Sequence, residues 1–181
     1  NIPAINLARE YGSPCFIYSA NEIKNNFLKY KDEIRNEDVI CYAVKANSNL
    51  HILRLLAELG SGFDVVSGNE LERCLIAGAD KNKIVFSGVS KSYEEIEKAI
   101  KSEILSINVE SLGEFERVAE ISKRLNKTVN CALRVNPDIT IGSHKYIETG
   151  SKTSKFGLDG VSIDKISKLS KEYKLINIVA V

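Results

Sequence analysis

Five times along the chain a short run rich in β-branched or aromatic residues is followed by an amphipathic helical pattern, and no other feature restricts the fold as much. The runs are 39–45 (VICYAVK), 63–67 (FDVVS), 83–87 (KIVFS), 104–110 (ILSINVE) and 128–135 (TVNCALRV). Helices are predicted near 49–59, 69–78, 92–103, 112–125 and 161–173, and a last strand at 176–181 (INIVAV). Gly60 and Gly78 sit where helix C-caps belong, and Ser92 with Glu95 three residues on fits a capping box. Strand and helix alternating in this way build a parallel sheet covered by helices.

Polar residues recur at one end of these strands only: Lys45, then Asp64 and Ser67, then Ser87, Glu110 and Arg134. In a (β/α)8 TIM-type barrel that end carries the loops that surround a ligand. A doubly wound open sheet also alternates strand and helix, but no GxGxxG fingerprint follows any strand here. A whole barrel takes about 250 residues, so a 181-residue chain would hold an incomplete one. The chain opens on Asn1 and has 0 Met, which raises truncation as an expectation. If nothing followed Val181, exposed strand edges would make the piece aggregate and leave it inactive.

Net charge is +1, from 25 basic and 24 acidic side chains mixed along the sequence, so there is no footprint for nucleic acid or an anionic membrane. No apolar stretch is long enough to span a bilayer, and residues 1–20 lack the pattern of a signal peptide. Cys15, Cys41, Cys74 and Cys131 stand singly without a CxxC pair, which argues against a zinc site or a disulfide framework. They read as buried, reduced thiols in a cytoplasmic protein, and no metal is expected.

A lysine closing an apolar run is costly to bury. Lys45 either leaves the strand and reaches solvent, or lies in a pocket where desolvation makes its amine a nucleophile able to form a Schiff base with an aldehyde. The other lysines, among them Lys83, Lys91 and Lys155, read as solvated. Arg134 requires an anionic partner, either a ligand or an acidic neighbour such as Glu110. Asp64 is either a paired core charge or a group that positions Lys45. His51 reads as surface or cap, and His144 is carried on a long connection, 136–160, that contains Pro137 and four glycines. Connections of that length are functional or disordered; Tyr146 and Phe156 favour an ordered, packed one.

The segments YAVKAN (42–47), FDVVSGNEL (63–71), FSGVSKS (86–92), NVES (108–111), RVNPD (134–138) and HKYIETGSKTSKFG (144–157) together resemble the fold-type III pyridoxal-phosphate decarboxylases. Six co-linear motifs are far more specific than one, and RVNPD followed by HKYIETG and SKFG is similar to the branch of that family acting on diaminopimelate. The resemblance implies a carboxy-lyase that uses pyridoxal 5'-phosphate to convert meso-diaminopimelate to lysine, the last step of lysine biosynthesis. Ornithine, arginine or carboxynorspermidine as substrate, or a non-catalytic decarboxylase-like binding protein, are the alternatives.

The resemblance further implies that Lys45 holds the cofactor aldehyde, that Asp64 and Glu70 shape the surroundings of that lysine, and that Arg134 lies near the cofactor's phenolic oxygen. Asn69 departs from the motif, where a second glycine is common. The stacking histidine, the phosphate-holding loops, the acidic partner of the pyridine nitrogen and a C-terminal β-domain would follow Val181. Residues 1–35 would then be an N-terminal segment whose run at 14–19 joins that β-domain, and 36–181 the first five to six βα units of the cofactor-binding barrel. A homodimer with active sites at its interface is implied as well.

Overall fold

The structure, a computed structural model, describes residues 2–137 and 156–181. His144 and Tyr146, and most of the connection that bears them, lie outside the described residues. The chain divides into two compact units, Asn1–Asp38 and Val39–Val181. In the first, helices α1 (Ala4–Tyr11) and α2 (Ala20–Lys31) flank an exposed stretch that forms no strand pairing at 14–19. Ser19 caps α2 by accepting from the Glu22 backbone N–H, and α2 buries Phe27.

The second unit is a six-stranded parallel sheet: β1 (Cys41–Ala43), β2 (Gly62–Val65), β3 (Ile84–Phe86), β4 (Ser106–Val109), β5 (Val129–Leu133) and β6 (Ile176–Ala180), in spatial order β1-β2-β3-β4-β5-β6. A doubly wound sheet reverses its order at the centre. Here every strand lies beside its successor, joined through helices α3 (Leu50–Glu58), α4 (Gly68–Ile76), α5 (Tyr93–Ser102), α6 (Leu112–Leu125) and α7 (Gly160–Leu169). That is the winding of a (β/α)8 barrel, of which the described residues supply six strands.

The helix boundaries follow from local chemistry. Ser67, Ser111 and Asp159 each accept a backbone N–H three residues on, and Ser92 with Glu95 forms the full capping box. Ser67 is therefore a helix cap rather than a strand-end group. Gly60 and Gly78 follow α3 and α4 with φ of 85° and 88°, a conformation that favours glycine at a helix end.

Strand residues alternate between faces, and the register makes this alternation chemical. Phe63, Val65, Ile84, Phe86, Ile107, Val109, Cys131 and Leu133 are buried on one face, together with Leu71, Cys74, Ile96, Phe115 and Val118 of the helices. The opposite parity places Asp64, Val85, Ser106, Asn108, Asn130 and Ala132 on the other face, where all but Ser106 are half-buried. The apolar face holds the sheet to its helices, which leaves the inner face free to be polar. The β5–β6 register shifts between Cys131 and Ala132, which pair with Ile178 and Ala180, so that β6 carries one extra residue there.

The cysteines are less uniform than their apolar neighbours imply. Cys74 and Cys131 are buried, Cys41 is half-buried, and Cys15 is exposed, as is the whole of its segment, 14–19. Among the described residues no helix is long and apolar enough to cross a membrane, and no three potential ligands gather that could hold a metal ion.

Candidate functional site

At the C-terminal end of the strands lies a cavity of about 480 Å³, lined among others by Lys45, Asp64, Ser87, Asn108, Arg134 and Phe156. Its volume lies in the range of small-molecule sites, about 300–1,000 Å³. The structure brings together Lys45, Asp64 and Arg134, and leaves Glu70 off the lining. Glu70 instead works at the start of α4, where its carboxylate accepts the Val66 N–H at 2.8 Å and its backbone N–H bonds Ser67 Oγ at 3.2 Å.

Lys45 does not end a strand. The ladder stops at Ala43 and Lys45 sits in a 3-10 turn, Val44–Ala46, with Val44 buried and the lysine itself exposed. The desolvation expected at a pocket bottom is thus not present among the described residues, where Lys45 makes no hydrogen bond or ion pair. The turn is held from both sides. Tyr42 donates its hydroxyl to the Asn47 carbonyl at 3.2 Å, and Arg73 Nε donates to the Ser48 carbonyl at 2.7 Å. Asn49 accepts the His51 N–H at 2.9 Å and so caps α3, which makes the exposed His51 a first-turn residue.

Beside Lys45 the polar face forms a directional chain. Asn108 Nδ2 donates to Ser87 Oγ at 2.9 Å, and Ser87 Oγ donates to Asp64 Oδ1 at 2.6 Å. Three strands therefore fix one carboxylate on the cavity wall. The parity of β4, shared by Ser106, Asn108 and Glu110, was the only signal that could have pointed to Asn108.

Arg134 is held by Glu110, as the sequence allowed: Nη1 donates to the two carboxylate oxygens at 3.1 and 3.3 Å. Its guanidinium also lies over the Phe156 ring, 4.8 Å from the centroid. Phe156 reaches it because the two ends of the long connection are clamped together. Leu158 N–H donates to the Arg134 carbonyl at 2.7 Å and Asn136 N–H to the Leu158 carbonyl at 2.9 Å. Gly157 permits this approach with φ +85°, and a Cβ there would lie 2.8 Å from the Asn136 nitrogen.

Behind the wall is an ion pair that the sequence did not reveal. Lys91, read as solvated, is buried, and its Nζ donates to Glu114 Oε1 at 2.6 Å, to the Gly88 carbonyl at 2.6 Å and to the Asn108 carbonyl at 2.8 Å. Burial pushes the Glu114 carboxyl above its ordinary range, against the opposing pull of the Lys91 charge. Lys91 thus ties two backbone positions of the cavity wall, Gly88 and Asn108, to α6.

An amine, a fixed carboxylate and a guanidinium gather at the C-terminal end of the strands, the place where (β/α) barrels carry their ligand sites. The chain belongs to the family of the pyridoxal-dependent decarboxylases, whose pyridoxal binding domain it matches over residues 20–181. It is 45% identical over 158 residues to diaminopimelate decarboxylase of Neisseria meningitidis serogroup A, a match covering 87% of this chain and 39% of the relative. Against the same enzyme of Methanocaldococcus jannaschii identity is 40% over 188 residues, covering 98% of this chain and 43% of the relative. The crystal structure of diaminopimelate decarboxylase from Helicobacter pylori complexed with L-lysine superposes with a TM-score of 0.92 at 40% identity, over 98% of this chain and 45% of that one. The chain therefore spans about two fifths of the curated relatives it matches.

Pyridoxal 5'-phosphate is the cofactor of this family, and the donor set suits it. Lys45 offers a primary amine to an aldehyde, and Arg134 offers N–H donors to an anionic oxygen in the same cavity.

Proposed function

We propose that this chain is the barrel portion of a carboxy-lyase that uses pyridoxal 5'-phosphate to decarboxylate meso-diaminopimelate to lysine. One observation carries the reading: Lys45, Asp64 and Arg134, three of the four charged residues that the family resemblance assigns to the cofactor site, line one cavity. The substrate assignment is supported by the relatives, whose names specify diaminopimelate.

The bound cofactor supplies a conjugated ring that takes up the electron pair left when the carboxyl group departs as carbon dioxide. The chain's own residues bind and orient. Lys45 Nζ would be the amine that holds the cofactor's aldehyde and, once freed, the group that moves protons beside it. Asp64, steadied by Ser87 and Asn108, sets a negative charge on the wall that also bears Lys45, which favours the amine's orientation into the cavity. Arg134 would donate to the cofactor's phenolic oxygen, and Glu70 acts indirectly, by fixing Val66 on the cavity wall. By the same reading the enzyme is a cytoplasmic homodimer with active sites at its interface. Residues 1–35 are its N-terminal segment, with 14–19 joining a β-domain, and 36–181 belong to the barrel.

The test is carbon dioxide release by the full-length protein from meso-diaminopimelate, ornithine, arginine and carboxynorspermidine, with and without added cofactor. Cofactor-dependent release chiefly from diaminopimelate is expected. Release chiefly from another of the four would overturn the substrate assignment, and release from none would overturn the enzymatic one.

A further inference from the structure

Resting on the cofactor site just proposed, we infer that Glu110 is the positioning residue for Arg134, fixing the guanidinium so that its remaining donors meet the cofactor's phenolic oxygen. The Glu110 side chain is 1% exposed, although it directly follows β4 at the strand's C-terminal end. It is held at both ends: Oε1 accepts the Gly88 N–H at 2.9 Å, and its own backbone N–H reaches Glu114 Oε2 at 3.4 Å. Gly88 is in turn clamped through its carbonyl by Lys91, so the carboxylate is tied to a buried ion pair.

A buried carboxylate paired with an arginine that remains 40% exposed adds little to stability, since the pair is half-screened and the desolvation cost falls on Glu110. What the arrangement provides is direction. Among the described residues Arg134's hydrogen bonds to side chains all run from Nη1 to Glu110, and the Phe156 ring constrains the guanidinium plane. A planar fork of five N–H donors held at one corner and on one face has its other donors set in space before a ligand arrives. The phenolic oxygen is the partner proposed above for Arg134, which lines the cavity.

The experiment uses the full-length protein and two probes, pyridoxal 5'-phosphate and its 3-deoxy analogue, which lacks the phenolic oxygen; dissociation constants are read by absorbance titration. Glu110→Gln is expected to weaken pyridoxal 5'-phosphate binding about tenfold, the weight of one charge-assisted hydrogen bond, and to leave the analogue within about twofold. Arg134→Lys should show the same selectivity, and the double variant should bind no more weakly than Arg134→Lys alone. If Glu110→Gln does not fold, Glu110→Asp keeps the charge, shortens its reach and should give the same selective loss. Equal losses for both probes, or additive losses in the double variant, would overturn the inference while leaving the cofactor site intact. A parent protein that binds neither probe, or binds both equally, would overturn the cofactor or Arg134 assignment itself and the inference with it.

Discussion

Replacing Lys91 by methionine keeps most of the side chain's apolar volume and removes its charge. Three acceptors lose their donor at once: Glu114 Oε1, the Gly88 carbonyl and the Asn108 carbonyl. The side chains of the pair are 0% and 1% exposed, so water cannot replace the lost ammonium without opening the packing around α6. Breaking a buried pair from one side costs about 3–5 kcal/mol, a large part of the roughly 5–15 kcal/mol that holds a domain folded. The pH dependence has a definite sign. Without Lys91, burial of Glu114 loses its main opposing influence, only the Glu110 N–H remaining to counter it, and the carboxyl is raised further in the folded state. Above the unfolded pKa of about 4.3, the folded variant then binds more protons than the unfolded chain, so its stability falls as pH rises until the raised folded pKa is passed. The loss should therefore be larger at pH 8 than at pH 5. The chain has 0 Trp, so urea unfolding of the cofactor-free protein is best followed by far-UV circular dichroism. Lys91→Met combined with Glu114→Leu should recover most of the loss, because an apolar replacement of both partners leaves no orphaned charge. A single variant within about 1 kcal/mol of the parent at pH 8, when about 3–5 kcal/mol is expected, or a double variant as unstable as the single one, would refute the argument.

Two further effects follow from the packing. Burial pushes the Cys74 and Cys131 thiols up to about 12, from the ordinary 9.0; the unfolded chain sheds these protons first, so stability should fall between about pH 9 and 12, and Cys131→Ala should reduce the slope by about 1.4 kcal/mol per pH unit, with an unchanged slope counting against the burial. Gly157→Ala forces a side chain into φ +85° and against the Asn136 nitrogen; a stability loss of about 1–3 kcal/mol and weaker cofactor binding are expected, and a variant with the parent's melting temperature and affinity would show that the clamp beside Arg134 is not needed.

The alternation of strand and helix was readable because each element carries its own period, and the order of strands then followed from short connections. Lys45, Asp64 and Arg134 were readable as site candidates because each charge interrupts an apolar run. What stayed hidden depends on contacts made at long range. Lys91 and Glu114 are 23 residues apart, one in a loop and the other in the first turn of a helix, and nothing local to either residue indicates that the two pair. Asn108 looked like an ordinary strand residue until the register placed it beside Ser87. The strand at Lys45 was read two residues too long, since the 3-10 turn that lifts the lysine off the ladder is held by Tyr42 and Arg73, the latter supplied by α4. Glu70, drawn into the site by its motif, is used by its own helix start.

The central claim is that Lys45 is the residue that holds the cofactor. Treating the full-length protein, loaded with pyridoxal 5'-phosphate, with borohydride fixes the cofactor to whichever amine carries it, and mass spectrometry of the digested protein locates that amine. The account predicts a single labelled peptide with the added mass on Lys45, lost in Lys45→Ala. A label on another lysine, or undiminished labelling in Lys45→Ala, would contradict it.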